Sequence, residues 1–311
     1  MANYTWTSGT ITNTDSTFRA WAKGISDALT AVGMVRVEAS SNASAWGSTM
    51  TSPVFATTPL AELAWEVWAF PTSSMQTASP LFIRVGYGMD ASAGYPRLQF
   101  KLATTQGSGG VMTGIGGSVS ITVTVNYWIG EAAQSTNNCW ASCDGHGFAI
   151  VHDITGTVGA YRNVIVVDRH RDANGDPLTS GAAMFYLSGG GSVASYTYDM
   201  IGDEFTGVTG AAPCLTPGNL SAFTSNLDAN GNVVLYPWWT ATRQGHGVSK
   251  MIATYPVTDM VGLSTQDVKW LTSIPTATDR TVRAAGTWIA GGGLDQTSSA
   301  GASIAVWWSD P

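Results

Sequence analysis

The sequence predicts a mainly β protein, with antiparallel, sandwich-like sheets and one N-terminal amphipathic helix packed on the first sheet. Many short runs of apolar and β-branched residues are separated by Gly, Pro, Asn and Ser, a pattern typical of strands joined by turns. Only one stretch has the apolar spacing of a helix. With 311 residues the chain can bury a core as one large β domain or as two smaller ones.

The predicted helix begins near residue 15 and ends near residue 33. Asp15 or Ser16 can accept the unpaired backbone N–H groups of a helix start, and Gly33 is a typical helix stop. Between them the apolar residues recur every three or four positions, as on one face of a helix: Phe18, Trp21, Ile25, Leu29 and Val32. Because Gly24 lies in its interior, the helix should depend on burying this face. A strand over 34–38 follows.

Three predicted strands then form the centre of the first region. The run 64–70 has large and small residues on both faces and ends at Pro71, which predicts a strand covered on both sides. Residues 72–80 are predicted to be a polar turn, and 81–87 a second strand. Over 97–102 apolar and polar residues alternate, as in a strand with one buried face.

Further strands are predicted along the rest of the chain. Residues 119–125 have the strongest two-residue alternation, whereas 131–147 are predicted to be a polar loop. The runs 163–168 and 183–187 are expected to pair across a hairpin. The other predicted strands are 148–152, 233–236, 248–255, 268–271, 281–289 and 303–308.

These runs suggest two regions. We expect residues 1–130 to form a helix plus a β-sheet, and residues 131–311 to form a second β-rich region that continues the first as a β-sandwich.

Composition indicates a protein that is packed into an assembly. Charged residues make up 11% of the chain, against about 25% in an ordinary globular domain. Gly, Ser and Thr fill the polar positions instead, and there are 13 Trp. A surface with few charges is suited to burial against neighbours, because burying an ion costs several kcal/mol.

Composition also argues against several classes of partner. A net charge of −7 without a basic cluster argues against nucleic acid. No apolar run approaches the roughly 18 residues that span a bilayer, so we expect no membrane span. The first residues have neither a basic nor an apolar signal region, so we expect synthesis in a cytoplasm. We predict no cofactor.

One group of residues has the chemistry of a metal site. Cys139, Cys143 and His146 could bind zinc, with His152, Cys214 or His246 as a fourth ligand. The spacing differs from the usual C-x2-C, and the alternative, free cysteines in a polar loop, is preferred.

Asp172, Asn174 and Asp176 could bind calcium, but the run lacks the Gly at position six and the Glu at position twelve of an EF-hand loop, and a hairpin turn is preferred.

No motif predicts catalysis. His146 and His246 each lie between two glycines, which could expose an imidazole, and His170 is a further candidate. The chain lacks a G-x-S-x-G elbow, a phosphate-binding loop and a positioned pair of acids. We therefore predict a protein that is not an enzyme.

Two pairs of adjacent tryptophans are the candidate interface residues. They are Trp238 with Trp239 and Trp307 with Trp308. Adjacent residues of a strand point to opposite faces, so one member of each pair should be in the core and the other exposed or covered by a partner. Such residues could anchor a protein interface or stack on sugars, and we prefer the interface.

Several stretches in the first 130 residues together resemble a group of tailed-bacteriophage virion structural proteins. Members usually carry E-V-W-x-F, then a strand ending in Y-G, a Pro-led strand and a Gly-rich loop ending in T-G. The corresponding residues here are the helix over 18–33, Glu66-Val67-Trp68-Ala69-Phe70, Tyr87-Gly88, Tyr95-Pro96-Arg97-Leu98 and Thr113-Gly114. The Gly-rich loop over 106–111 is only an approximate match.

The resemblance implies a structural component of the virion, made in the cytoplasm of a bacterial host, and it carries over no catalytic residues. Its partners would be other virion proteins and copies of itself. We favour a tail or baseplate location over a capsid-surface or decoration protein. A carbohydrate-binding receptor adhesin, which would bind a host surface glycan through the same Trp residues, is the alternative from another class.

Overall fold

A computed structural model describes residues 2–8, 14–44, 46, 61–71, 73–90, 95–113, 137–154, 161–171, 176–188, 195–201, 214–215, 236–242, 245–256, 270–272, 287–293 and 302–309. From residue 178 onward the structure describes the backbone alone.

The first half of the described chain contains three helices and seven strands. They are β1 (Ala2–Ser8), α1 (Asp15–Ala31), β2 (Val35–Ala39), α2 (Ser41–Ser44), β3 (Ala61–Ala69), α3 (Ser73–Ala78), β4 (Phe82–Asp90), β5 (Tyr95–Ala103), β6 (Thr105–Gly107) and β7 (Val111–Thr113), with a single 3-10 turn over Ser108–Gly110 between the last two.

The remaining described elements are all strands. They are β8 (Asn137–Cys143), β9 (Gly147–Ile154), β10 (Tyr161–Arg171), β11 (Pro177–Ser188), β12 (Ser195–Ile201), β13 (Cys214–Leu215), β14 (Tyr236–Thr242), β15 (Gly245–Pro256), β16 (Trp270–Thr272), β17 (Thr287–Gly293) and β18 (Ala302–Ser309).

These strands form three antiparallel sheets and one hairpin within the described residues. The N-terminal sheet has the order β2-β3-β4-β5, the central sheet β1-β8-β9-β10-β11-β12, and the C-terminal sheet β13-β14-β15-β18-β17-β16, while β6 pairs with β7. In the central sheet β10 packs against β15 and β17 of the C-terminal sheet. The predicted fold class, antiparallel and sandwich-like with one N-terminal helix, is confirmed.

The first strand belongs to the central sheet. β1 pairs with β8 along its whole length, from Ala2 opposite Cys143 to Ser8 opposite Asn137. Strand pairing therefore connects the two sides of residue 130, the boundary that we expected between the two regions.

The helix α1 lies in the core between two sheets. Its predicted apolar face is buried, and the chain leaves the helix at Gly33 with φ +89°. That face shares one apolar cluster with Trp68 and Phe100 of the N-terminal sheet and with Phe148 of the central sheet. The helix contacts β1 and β8 as well as β2, so it packs on the central sheet in addition to the first.

Gly24 allows this close packing. A Cβ atom at Gly24 would lie 3.1 Å from Nε1 of Trp6 in β1. The glycine that weakens the helix on its own is thus a position where the first strand approaches the helix backbone.

Two predictions of local structure were wrong. Part of the predicted polar loop over 131–147 is the strand β8, in which Cys139, Ala141 and Cys143 are buried. Their side chains are small, and Trp140 is the one bulky residue among them, so the run lacks the repeated bulky alternation of a typical strand. Part of the predicted turn over 72–80 is the short helix α3.

The hairpin predicted between 163–168 and 183–187 is confirmed, because β10 pairs with β11. The strand predicted at 119–125 lies outside the described residues. Among the helices that the structure describes, none has the length and hydropathy needed to cross a membrane.

Candidate functional site

A buried carboxylate organises the N-terminal sheet. Glu66, in the middle of β3, is fully buried on the sheet face that meets α1. Four side chains donate to it: Ser26 Oγ at 2.8 Å, Arg36 Nη1 at 3.0 Å, Trp46 Nε1 at 3.2 Å and Tyr87 Oη at 2.7 Å. They come from α1, β2, the residues after α2, and β4. We call these five residues the Glu66 hub.

The hub fills the acceptor capacity of the carboxylate. A carboxylate has about four lone-pair positions for donors, so four donors leave little unmet. Burial, followed by the nearby charge of Glu66, raises the pKa of Tyr87 well above 10, and the phenol therefore keeps the proton that it donates. Both Trp46 and Trp21 pack edge-on against the Tyr87 ring, with centroids 5.1 and 6.0 Å away. The hub thus connects four segments around one polar centre.

A second carboxylate connects β2 to the Gly-rich loop. Glu38 accepts the backbone N–H of Gly109 at 2.7 Å and of Gly110 at 3.2 Å, and Gln106 Nε2 also donates to it. Gly109 and Gly110 have φ of +74° and +68°, and successive N–H groups in such a turn form a small anion-binding concavity. These bonds, led by the one from Gly109, lower the pKa of Glu38. The loop is therefore held by a carboxylate of the chain itself.

Gly110 is also required by packing. A Cβ at this position would lie 2.8 Å from the ring of Trp65, on the outer face of β3. The hairpin β6–β7 thereby covers the outer face, where Met112 packs with Val67. This covering agrees with the prediction that the run 64–70 is buried on both sides.

The outer face also carries an ion pair. Arg84 of β4 donates to both oxygens of Glu62, and its guanidinium lies 5.2 Å from the centre of the Trp65 ring. Two parallel bonds with a stacked aromatic ring suit arginine in particular. The pair fixes β3 to β4 beside the Gly-rich loop.

The edge of this sheet exposes apolar residues. β2 is one of the two outermost strands of the N-terminal sheet and pairs with β3 on one side. Val35 and Val37 of β2 are 51% and 43% exposed, and Val111, next to the Gly-rich loop, is 54% exposed. These are the large exposed apolar residues among the described side chains. Val35 and Val37 precede Glu38 in β2, and Val111 directly follows the loop that Glu38 binds.

A polar cluster closes the turn between β8 and β9. Arg171 donates to Asp144 Oδ2 at 2.9 Å and to Asp168 Oδ1 at 2.8 Å, and all three are largely enclosed. Burial alone would lower the pKa of Arg171, but the two carboxylates outweigh it and raise the pKa. Asp144 also accepts the backbone N–H groups of His146 and Gly147, which fixes the turn. Each of these charges therefore supports local structure.

Arg169 is a buried cation of a different kind. It is 1% exposed, donates to Gln76 Oε1 at 3.0 Å and lies 5.7 Å from the centre of the Phe70 ring. Its burial lowers its pKa to about 10. It connects β10 to α3 and thus the central sheet to the N-terminal sheet.

The candidate zinc ligands do not converge. Cys139 and Cys143 are buried, form no disulfide and lie four residues apart in β8, which at about 3.3 Å per strand residue separates their Cα atoms by roughly 13 Å. Two thiolates on one zinc lie about 2.3 Å from the ion. Burial raises the pKa of Cys143 to about 12, and its thiol donates to Met34 Sδ at 3.9 Å. In the described part of the chain no three His, Cys, Asp or Glu side chains form a metal-sized group.

The cysteines are therefore strand residues of the core rather than residues of a polar loop. Cys214 begins β13, and the side chains of Cys214, His152 and His246 are outside what is described. Of the residues considered for calcium, Asp176 lies directly before β11, where Arg171 is opposite Pro177. Residues 172–175 are outside the described range.

The two Gly-His-Gly runs lie in different settings. His146 is in the turn between β8 and β9, with Gly145 at φ +93°, whereas His246 is the second residue of β15, opposite Ala241 of β14. Burial is the main cause that lowers the pKa of His146. Among the described residues, His146 Nδ1 is buried without a hydrogen-bond partner, whereas the base of a catalytic pair is usually oriented by one. His170 lies in β10.

The tryptophan pairs lie in neighbouring parts of the C-terminal sheet. Trp238 and Trp239 are in β14, Trp307 and Trp308 in β18, and both strands flank β15. In each pair one residue falls at a register irregularity: the β14–β15 pairing shifts between Pro237 and Trp239, and the β17–β18 pairing shifts beside Trp307. Bulges redirect side chains and increase local twist. The division of each pair into core and interface stays a prediction.

The sequence analysis did not predict the buried partners of Glu66 or the contact of Glu38 with the Gly-rich loop. A signal existed for Glu66, because a charged residue inside a strand covered on both faces needs buried partners. For Glu38 the sequence carries no such signal.

No protein-family model matches the chain, and no curated protein matches it.

Proposed function

We propose that the chain is a non-enzymatic structural component of a tailed-bacteriophage virion, located at the tail or baseplate, which assembles with other virion proteins and copies of itself. The observation that carries the proposal is where the chain places its few charges. Only 11% of its residues are charged, and in the described part five of these are buried: Glu66, Arg84, Asp168, Arg169 and Arg171.

Internal use of charge leaves a surface suited to close packing. An exposed charge must lose its water when two proteins meet, and the cost is several kcal/mol if it is not well paired. Hydroxyl and amide groups lose less on burial. The five charges that are buried in the fold are therefore absent from the surface that neighbours would cover.

The residues that resemble the virion family form one connected unit. The strand with the E-V-W-x-F run provides Glu66 to the hub and Trp65 to the Gly-rich loop, and β4, which contains Tyr87-Gly88, provides a donor to the same hub. In the described residues these groups bind one another. The motif thus supports an architectural role, which is what the resemblance implies.

The experiment is particle incorporation. Phage whose own copy of the gene is deleted would be complemented with the wild-type chain or with the Trp307→Ala, Trp308→Ala double variant. Purified particles would then be analysed by mass spectrometry. We expect the wild-type chain in particles at a fixed copy number and the variant at a reduced one. Circular dichroism of both purified chains checks that the variant is folded.

A receptor adhesin would give a different result. Its variant would join particles normally, but the isolated chain would lose glycan binding. That combination, or the absence of the wild-type chain from particles, would contradict the proposal.

A further inference from the structure

We propose that the folded chain encloses one small inorganic anion of the size of chloride, bound beside the guanidinium of Arg169. The site lies where Arg169 of β10 reaches Gln76 of α3 and Phe70, which directly follows β3. It is therefore at the junction between the central sheet and the N-terminal sheet. The inference goes beyond the proposed function and does not depend on it.

The first argument is that Arg169 carries a buried charge that no described carboxylate balances. Its side chain is 1% exposed, its hydrogen-bond acceptor is the neutral Oε1 of Gln76, and the Phe70 ring offsets only part of the charge. Burial lowers the pKa of Arg169 to about 10, which leaves the group positive at neutral pH. A buried ion is strongly unfavourable unless it is paired, so this cation needs a counter-charge.

The neighbouring arginine of the same strand shows the usual solution. Arg171 is equally enclosed, and it donates to the carboxylates of Asp144 and Asp168. Within the part of the chain that the structure describes, neither carboxylate accepts a bond from Arg169. The two acids at this end of β10 thus neutralise Arg171 and leave the charge of Arg169 to another group.

The second argument comes from two buried nitrogen atoms, Arg169 Nε and His146 Nδ1, that have no hydrogen-bond partner among the described residues. The backbone N–H of Arg169 donates to the carbonyl oxygen of His146 at 3.1 Å, so the two residues are neighbours. Arginine Nε is always a donor, and a neutral imidazole can carry its proton on Nδ1. An anion between them accepts from both nitrogens and also balances the charge. A water molecule would accept the bonds but leave the charge unbalanced.

The third argument concerns the size of the ligand. Because Arg169 is 1% exposed, an acidic side chain of another protein cannot reach its guanidinium without opening the fold. A small inorganic anion can be enclosed when the two sheets come together. It brings no further polar groups that would need partners in the core.

The test measures urea unfolding of the full chain when chloride is replaced by gluconate, an anion too large for an enclosed site, at constant ionic strength and neutral pH. An anion that binds the folded chain alone lowers the unfolding constant. We expect the unfolding constant of wild type to be at least about threefold lower in roughly 0.5 M sodium chloride than in the same concentration of sodium gluconate.

A pair of variants separates this site from general effects of the salts. Arg169→Met removes the charge and keeps an unbranched apolar side chain, a change that folds often tolerate. It should have the same unfolding constant in both salts. Arg19→Met is the matched control, because Arg19 is paired with Asp15 on α1, and it should keep the threefold difference of wild type. Circular dichroism checks that both variants are folded.

Bromide gives an independent readout. In crystals of the wild-type chain grown in sodium bromide, X-ray data at the bromine edge should show an anomalous peak within hydrogen-bond distance of Arg169 Nε and His146 Nδ1. Crystals of Arg169→Met should lack this peak.

Several results would overturn the proposal. They are equal unfolding constants of wild type in the two salts, a chloride effect that Arg169→Met retains, or bromide crystals without an anomalous peak at Arg169. A peak at Arg169 without any effect of chloride on unfolding would indicate an adventitious ion only, and it would also contradict the proposal.

Discussion

Replacing Glu66 by leucine should remove most of the stability of the N-terminal sheet. Three of its donors, Ser26, Trp46 and Tyr87, are buried. A buried donor without an acceptor costs about 1 to 3 kcal/mol, so the three together cost about 3 to 9 kcal/mol. The contribution of Arg36 to the loss of stability is small by comparison, because its side chain is 43% exposed and water can solvate it.

That loss is large against the stability of a typical domain, about 5 to 15 kcal/mol. Glu66→Gln should lose only about 2 kcal/mol, because an amide oxygen can accept the three donors that now meet Oε1 and the Tyr87 hydroxyl can rotate to accept from the amide nitrogen.

Urea unfolding at pH 7, followed by far-ultraviolet circular dichroism, measures both losses. Asp27→Asn is the matched carboxylate-to-amide control: Asp27 pairs with Lys23 on the exposed side of α1, where both side chains are 50% exposed. A change of at most about 0.5 kcal/mol is expected there. If Glu66→Leu unfolds within about 1 kcal/mol of wild type, the hub does not organise the sheet and the reasoning fails.

Three other predictions concern the loop and the cysteines. Gly110→Ala should destabilise the chain by about 2 to 5 kcal/mol in urea unfolding, because alanine disfavours positive φ and its Cβ would overlap the Trp65 ring. Gly109→Ala, whose Cβ would meet nothing within 4 Å, should cost only about 1 to 2 kcal/mol. Equal losses would contradict the contact with the Trp65 ring. Because the pKa of Glu38 is lowered in the folded chain, the stability that its carboxylate contributes is present above pH 4.5 and is lost as the pH falls through the folded pKa. The stability difference between wild type and Glu38→Gln should therefore shrink between pH 6 and pH 3. A constant difference would contradict this contribution. Cys139 and Cys143 should resist alkylation at pH 8 in the native chain and react in urea, as read by peptide mapping; rapid native labelling of either would show that β8 is not buried.

Patterns close in sequence were enough to predict much of the fold. The helix α1 follows from apolar residues at helical spacing, and β3 to β5 follow from alternation and from the breaks at Pro71 and the glycines. Their burial depends on residue types within a few positions of one another. Such signals do not depend on how the rest of the chain folds.

Contacts between distant segments were not predictable in this way. The donors of the Glu66 hub lie 20 to 40 positions from it along the chain, and each depends on how a different element packs. β8 was missed because its buried side chains are small where the central sheet meets α1. Its pairing with β1 joins segments that are more than 120 residues apart, for which a single sequence gives no pairing signal.

Electron cryomicroscopy of intact phage particles from a genome that encodes this chain tests the central claim most directly. We predict repeated copies of the chain at the tail or baseplate, with apolar and aromatic surfaces covered by neighbouring subunits. Particles that are complete and infectious but contain no density for the chain, together with a free monomeric protein in the lysate, would contradict it.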